Sequence, residues 1–201
     1  MSHRKQLSNN FWLHEFTNLS WGQLTSTNKF LLERLCIDIL QPMRDYLCKV
    51  YDKNVPMSVT SGMRTAADFD RILAQGFNPS RRSDHFFANC IPTDGHGDTQ
   101  RFGPYFAHGS GAADVVPTGE GVVVKDCFDH IVDGIRSGYL GIPFGQLIHE
   151  FGGRSSSGWL HLSNSKSLIF TDEMVKTLGF DSLHRILTSP DAGKSYVPVQ
   201  L

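Results

Sequence analysis

Two short apolar runs, each carrying a potential metal ligand, constrain the fold of this chain most strongly. Residues 111–117 read Gly-Ala-Ala-Asp-Val-Val-Pro, and residues 159–163 read Trp-Leu-His-Leu-Ser. Short apolar runs bounded by glycine or proline are typical of buried strands, in which alternate side chains point to opposite faces of a sheet. We therefore expect Asp114 and His161 to project from buried strands.

A partner strand is predicted at 146–151, joined to 159–163 by a turn rich in glycine and serine. Because side chains alternate along a strand, His161 lies on one face of its own strand and Glu150 lies on one face of the partner strand. If these faces coincide, Glu150 lies across from His161, close enough to take a proton from a water molecule as a general base. His149 then points the other way. The period of two does not by itself set the pairing register.

Helices are predicted around this sheet. Apolar residues recur every three and four positions from 27 to about 50, which is typical of an amphipathic helix. Pro42 lies inside this pattern and predicts a kink or a break. The candidate N-caps are Thr25, Ser26 and Thr27. The other predicted elements are a strand at 55–61 and helices at 65–77, 126–137 and 171–178, while the tail from Thr188 is expected to be irregular.

Length and composition indicate one globular domain of the α+β class. The chain has 201 residues, of which 40% are hydrophobic and 19% charged, and this is enough to bury a core. We expect a small antiparallel sheet flanked by helices. The expected organisation is a core at about 11–165, an inserted loop at 86–110, and a C-terminal helix and tail at 166–201.

Charge, apolar runs and cysteines exclude several classes of function. A net charge of −1 provides no electrostatic footprint for nucleic acid. No apolar run is long enough to cross a membrane. The N-terminus has no apolar segment behind its basic residues, so no secretory signal is predicted and synthesis in a cytoplasm is expected. The four cysteines form no Cys-x-x-Cys pair, which argues against a zinc ribbon.

His85, Asp114 and His161 are the candidate ligands of a catalytic Zn²⁺. Two imidazoles and one carboxylate supply three protein ligands and leave a fourth position for water. Arg64 follows the strand at 55–61 through a glycine, so it is expected at a strand end that opens on a cleft. A guanidinium group there can clamp a carboxylate or stabilise an oxyanion.

Four short motifs around these residues resemble the signature of the D-alanyl-D-alanine carboxypeptidase family of zinc peptidases. The motifs are Ser-Gly-Met-Arg at 61–64, Ser-Asp-His at 83–85, Gly-Ala-Ala-Asp at 111–114 and Trp-Leu-His at 159–161. They are similar, in order, to S-G-Y-R, S-x-H-x-x-G-x-A-x-D and W-x-H, and the likeness covers about 11–165.

The resemblance implies a hedgehog-like fold and a role for each matching residue. Zn²⁺ would be held by His85, Asp114 and His161. Arg64 would bind the substrate or the oxyanion. Ser83 would support the site, and Trp159 would contact the substrate.

Two departures from the family pattern bear on these roles. The family places its central His and Asp seven positions apart, whereas His85 and Asp114 are separated by 114 − 85 = 29 positions, so residues 86–107 are interpreted as an insertion over the cleft mouth. His108 and His96 are the alternative ligands that this spacing leaves open. Many relatives also carry a Glu three residues before the last His, and that position here is Gly158. Either Glu150 takes over as the base or the hydrolytic step is impaired.

The function that the resemblance implies is a zinc-dependent peptidase cleaving peptidoglycan stem peptides, of DD-carboxypeptidase or endopeptidase type. The alternative is a phage virion structural or binding protein that retains the peptidase fold with weak or no activity, in contact with other phage proteins. Gly158 and the insertion both fit this alternative. A dipeptidase acting on other peptides is a third possibility. Virion association or release at lysis is the expected route to the cell wall.

Overall fold

A six-stranded mixed sheet organises the part of the chain that the structure describes. The structure is a computed structural model and describes residues 4–76, 80, 83–87, 109–150, 158–173, 185–190 and 195–199. The strand order is β3-β4-β6-β5-β7-β8, and a separate pair, β1-β2, precedes the sheet. The strands are β1 Gln6–Ser8, β2 Phe11–Trp12, β3 Met57–Ser61, β4 Ala112–Pro117, β5 Phe144–Glu150, β6 Trp159–Asn164, β7 Arg185–Ser189 and β8 Val197–Pro198.

The two faces of the central strands differ sharply in chemistry. One face is apolar and packs into the main core beneath the helices. Its side chains from the three central strands are Ala113, Val115, Leu147, Leu160 and Leu162. The other face carries Asp114, His161 and Glu150, since these residues alternate with the apolar ones along the strands. The strand periodicity recognised in the sequence therefore separates a packing face from a polar face.

A long helical segment at 26–50 begins at one of the predicted caps. The Thr25 side chain accepts a hydrogen bond from the Asn28 backbone N–H at 3.1 Å, which satisfies an exposed donor of the first turn. The segment comprises α2 (Ser26–Arg34), a π-helical stretch (Leu35–Leu40) and α3 (Gln41–Val50).

Of the kink or break predicted at Pro42, the break does not occur. The backbone stays helical, and the π-helical stretch ends at Leu40, two residues before the proline, with the Gln41 N–H donating to the Cys36 carbonyl. Because proline has no N–H and crowds the carbonyl four residues earlier, the wider turn is a local adjustment that lets the helix continue.

Two further α-helices, α4 (Ala66–Ala74) and α5 (Val124–Arg136), agree with the predicted positions within a few residues. The short helix α1 (Leu13–Phe16) was not predicted. Thr65 is the N-cap of α4, and its side chain accepts a hydrogen bond from the Asp68 N–H. The helix is followed by Gly76 at φ +84°. The N-terminal segment also packs on the domain, with Phe11 and Phe16 buried. The α+β class is thus confirmed.

The C-terminal region departs from the prediction of an irregular tail. Strand β7 pairs in parallel with β5, and β8 pairs antiparallel with β7. The prediction was wrong because Arg-Ile-Leu-Thr-Ser is too short to show a clear period, and a parallel pairing between distant segments leaves no local signal. The sheet is consequently larger than expected and mixed.

Several predicted features lie outside the described residues. They include most of the inserted loop at 86–110, nearly all of the hairpin tip before Gly158, and all but the start of the helix at 171–178. Among the described helices, none combines the length and apolarity that crossing a bilayer requires.

Candidate metal centre

Three different segments bring the candidate ligands together. Asp114 and His161 are cross-strand neighbours, since β4 and β6 pair antiparallel with these two residues in register. His85 comes from an irregular segment, 83–87, that approaches the same face. All three residues are buried, with exposures of 6% for Asp114, 8% for His161 and 2% for His85.

The donor atoms of these residues form a tight triangle. The Asp114 Oδ1 atom lies 3.2 Å from His85 Nε2 and 2.9 Å from His161 Nδ1. The two imidazole nitrogens are 3.2 Å apart. Two histidines and one carboxylate at this spacing could hold a metal ion. The convergence of His85, Asp114 and His161 agrees with the sequence prediction.

Backbone atoms on the side of the ring away from the triangle set the orientation of His85. Its Nδ1 atom lies 2.8 Å from the Gly62 carbonyl, and the Arg64 N–H donates to the His85 carbonyl at 2.8 Å. Because a carbonyl oxygen only accepts, Nδ1 carries the proton, and Nε2 of the neutral ring presents a lone pair to the triangle. Such a bond from the second ring nitrogen is typical of metal-binding histidines.

Gly62 is required at this position by close packing. A Cβ atom there would lie 2.4 Å from the Phe16 carbonyl oxygen at the end of α1. The Met63 N–H donates to the same carbonyl at 2.8 Å, so the end of α1 and the end of β3 are held against each other. The N-terminal segment thereby supports the strand end that orients His85.

The electrostatics of the triangle favour a carboxylate beside one neutral imidazole. Burial opposes ionisation of Asp114, but the two histidines outweigh it and hold the pKa of Asp114 well below its usual range. Burial lowers the pKa of His85, only partly offset by Asp114. For His161, burial is outweighed by the hydrogen bond and charge of Asp114, so its pKa is raised.

The triangle has too few protons to satisfy its own short contacts. With its proton on Nδ1, His85 offers a lone pair at Nε2, and this lone pair faces another acceptor, the Asp114 carboxylate. Within the triangle only His161 Nδ1 can donate, and one N–H cannot point well at both neighbours. Lone pairs converging in this way are what a cation stabilises.

Arg64 holds the far side of the Asp114 carboxylate. Its Nη2 atom lies 3.4 Å from Asp114 Oδ2, and its Nε and Nη2 atoms donate to Ser61 Oγ at 3.1 and 2.9 Å. Ser61 is itself the cross-strand neighbour of Asp114. The guanidinium group therefore engages Oδ2 and leaves Oδ1 directed at the histidines, while 22% of its side chain remains exposed.

Glu150 lies on the same face of the sheet as the triangle, an arrangement that the strand period alone does not determine. In the pairing of β5 with β6, Ile148 is directly opposite His161, and Glu150 is opposite Trp159. Glu150 is thus a diagonal neighbour of His161, and its charge contributes to the raised pKa of that histidine. His149 points to the opposite face, where its ring lies 5.4 Å from the ring of Phe128 on α5.

Gly158 adopts a backbone conformation suited to glycine. Its φ is +113°, a value that residues with a Cβ atom rarely adopt. This position, where the resembled family pattern has glutamate, is therefore shaped for a residue without a side chain. If a carboxylate acts as the base, it comes from another position in the chain.

The alternative ligands His108 and His96 lie outside the described residues. The described ends of the proposed insertion are adjacent: Phe87 and Gly109 form an isolated bridge, and the Gly109 N–H donates to the Phe86 carbonyl at 2.8 Å. Ser83 contacts the site segment through its Oγ atom, 3.4 Å from the His85 N–H.

A second polar group beside the site was missed by the sequence reasoning. Asp84 is buried and accepts hydrogen bonds from Lys166 Nζ and from the backbone and hydroxyl of Ser110. Burial opposes its ionisation, but Lys166 above all lowers the pKa of Asp84. The only sequence signal was its place inside Ser-Asp-His, because Lys166 and Ser110 are distant along the chain.

Comparison of the chain with protein families, curated proteins and solved structures finds no match.

Proposed function

We propose that this chain is a zinc-dependent peptidase that hydrolyses peptidoglycan stem peptides. The observation that carries the proposal is the triangle of His85 Nε2, Asp114 Oδ1 and His161 Nδ1, in which three buried donor atoms lie about 3 Å apart.

The spacing of the donors supports zinc. Zn²⁺ binds imidazole nitrogen and carboxylate oxygen at about 2.0–2.2 Å, so two ligands of a tetrahedral site lie about 3.3–3.5 Å apart. The three distances here are 3.2, 3.2 and 2.9 Å. Mg²⁺ and Ca²⁺ prefer all-oxygen sites, whereas two histidines and a carboxylate also suit iron(II). Zinc is preferred over iron because the surrounding motifs resemble those of zinc peptidases.

The residues around the triangle can perform hydrolysis. A zinc ion bound there would supply Lewis-acid polarisation of a carbonyl and would lower the pKa of water toward neutrality. Glu150 takes the proton from the attacking water and delivers it to the leaving amine. Arg64, which is partly exposed, stabilises negative charge on the substrate while it holds Asp114.

The choice of peptidoglycan peptides as the substrate rests on the resemblance of the four motifs to the D-alanyl-D-alanine carboxypeptidase family. The described contacts add the support that all four motifs meet at one site. Ser61 and Arg64, His85, Asp114, and His161 are linked to one another through hydrogen bonds or cross-strand pairing.

The test combines metal analysis with digestion of purified muropeptides. We expect one zinc ion per chain. We also expect the protein to release D-alanine or to cleave cross-links, and this activity should stop when a chelator is added and return when Zn²⁺ is restored. A His161→Ala variant serves as the inactive control. Turnover by chelated protein, or activity restored only by iron(II), would overturn the zinc mechanism.

A second candidate is a metal-binding virion protein without turnover, and Gly158 favours it. Because position 158 lacks a carboxylate, catalysis depends on Glu150. A Glu150→Gln variant separates the two candidates. A peptidase is expected to lose at least about 100-fold in kcat while it keeps its zinc. A wild-type protein that binds zinc but releases no product above the His161→Ala control would favour the structural role.

A further inference from the structure

The buried carboxylate of Asp84 touches every segment that carries a ligand of the metal centre. It is the residue before His85. Its Oδ1 atom accepts from Ser110 N at 3.0 Å and from Ser110 Oγ at 3.1 Å, four residues before Asp114 on the approach to β4. The same atom accepts from Lys166 Nζ, five residues after His161 and just beyond the end of β6.

These contacts are buried and mutually reinforced. Asp84 is 7% exposed, Ser110 is fully buried, and 11% of the Lys166 side chain is exposed. The Asn164 amide donates to the Ser110 carbonyl and to the Leu31 carbonyl of α2, each at 2.9 Å. The Asp84 carbonyl accepts from the Gly111 N–H at 3.2 Å. The network therefore connects the His85 segment to both strands and to the long helix.

The segment that carries His85 lacks the support that a strand gives to the other ligands. Asp114 and His161 are fixed by the hydrogen-bond ladders of β4 and β6, whereas residues 83–87 form no strand ladder. The backbone contacts of His85 with Gly62 and Arg64 fix one side of the segment. Asp84 fixes the other side, because its side chain points toward Ser110 and Lys166.

We propose that Asp84, held by Lys166 and Ser110, is a positioning residue that sets the distance of His85 from Asp114 and His161 and so determines metal affinity. It acts through His85 and does not touch the metal. The proposal rests on the proposed metal centre but not on peptidase activity.

The test measures metal binding by the full-length protein. Zn²⁺ affinity is determined by competition with a chromophoric chelator, and coordination geometry by the visible absorption of the Co²⁺-loaded protein. Asp84→Asn keeps the size of the side chain and removes its charge. We expect Zn²⁺ affinity to fall about 10–100-fold, the range for partners that orient a ligand, with an altered Co²⁺ spectrum.

Two further variants guard against misfolding and general charge effects. Ser110→Ala removes one hydrogen bond to Asp84 without leaving a buried charge, and a loss of up to about tenfold in affinity is expected. Asp129→Asn removes the carboxylate of an exposed ion pair with Lys125 on α5, and it should change neither affinity nor spectrum. Circular dichroism of each metal-free variant confirms that it is folded.

The outcomes separate this inference from the proposed function. If folded Asp84→Asn and Ser110→Ala proteins bind Zn²⁺ within twofold of wild type with unchanged Co²⁺ spectra, Asp84 is only structural and the inference is wrong. The inference also fails if the wild-type protein binds neither metal. A wild type that binds zinc but does not cleave muropeptides overturns the peptidase proposal alone.

Discussion

The two faces of the sheet formed by β4, β5 and β6 come from the same strands but differ in chemistry: one is apolar and the other carries the candidate metal ligands. On one face, Val115 and Leu160 are fully buried in an apolar core. On the other, Asp114 and His161 are buried polar groups whose short contacts need a cation or an added proton. Burial of apolar surface stabilises the fold, whereas burial of charged groups costs stability unless they are paired. The apolar face therefore supports a polar face that would be unfavourable by itself.

The largest expected effect compares two buried histidines on opposite faces. His161→Ala removes a ligand, so we expect metal affinity to fall by more than about 100-fold, beyond the usual effect of losing a supporting residue. His149→Ala alters the packing against Phe128 and is expected to keep affinity within about threefold. Isothermal titration with Zn²⁺ measures both. Equal losses in the two variants would show that the faces are not functionally separate.

The next effect is on stability and compares neighbouring residues of β6. Leu162→Ala leaves a cavity in the apolar core and should lower the free energy of unfolding by about 2–5 kcal/mol. Ser163→Ala removes one acceptor for the Gln146 N–H, a bond of 3.1 Å, and should cost about 0.5–1.5 kcal/mol. Urea unfolding of the metal-free proteins measures both values. A larger loss for Ser163→Ala would mean that the polar face, not the apolar one, carries the stability.

Much of this contrast was visible in the sequence because it is local. The apolar run around Asp114 predicted a buried strand, and the alternation of His161 with leucines predicted which side chains of its strand share a face. The sequence does not determine whether the faces of Glu150 and His161 coincide, since a period of two does not set the register. The structure supplies that register by pairing Ile148 with His161.

The parts that escaped prediction depend on contacts between distant segments. Asp84 meets Lys166 and Ser110 only after folding, and no spacing rule links those positions. Strand β7 forms by parallel pairing with β5, which likewise has no local signature. At Pro42 the propensity argument identified the right residue, but a π-helical turn replaced the expected break.

A smaller effect is expected where the polar face reaches solvent. Arg64→Met removes the group that holds Asp114 Oδ2, and we expect Zn²⁺ affinity to fall about 10-fold, at the lower end for such supports. Arg71→Met is the matched control, because Arg71 pairs with Asp68 on α4 and 60% of its side chain is exposed. Chelator competition measures both affinities. If both variants match wild type, Arg64 has no part in orienting the carboxylate.

The smallest expected effect is a pH dependence of the metal-free protein, and its sign follows from His161. Asp114, Asp84 and Glu150 all favour the protonated form, so the pKa of His161 is raised in the folded state. The stabilisation is therefore fully present below the unfolded value of about 6.5 and is lost as pH rises through the raised pKa.

Consequently, His161→Ala should destabilise the metal-free protein more at pH 5.5 than at pH 9. His85 has a lowered pKa, so it lowers wild-type stability as the pH falls below about 6.5 and keeps the overall slope shallow. The comparison must therefore be the difference between wild type and variant, measured by urea unfolding in chelator. A difference that grows with rising pH would mean that His161 is stabilised in its neutral form and that the carboxylates of the polar face do not govern its charge.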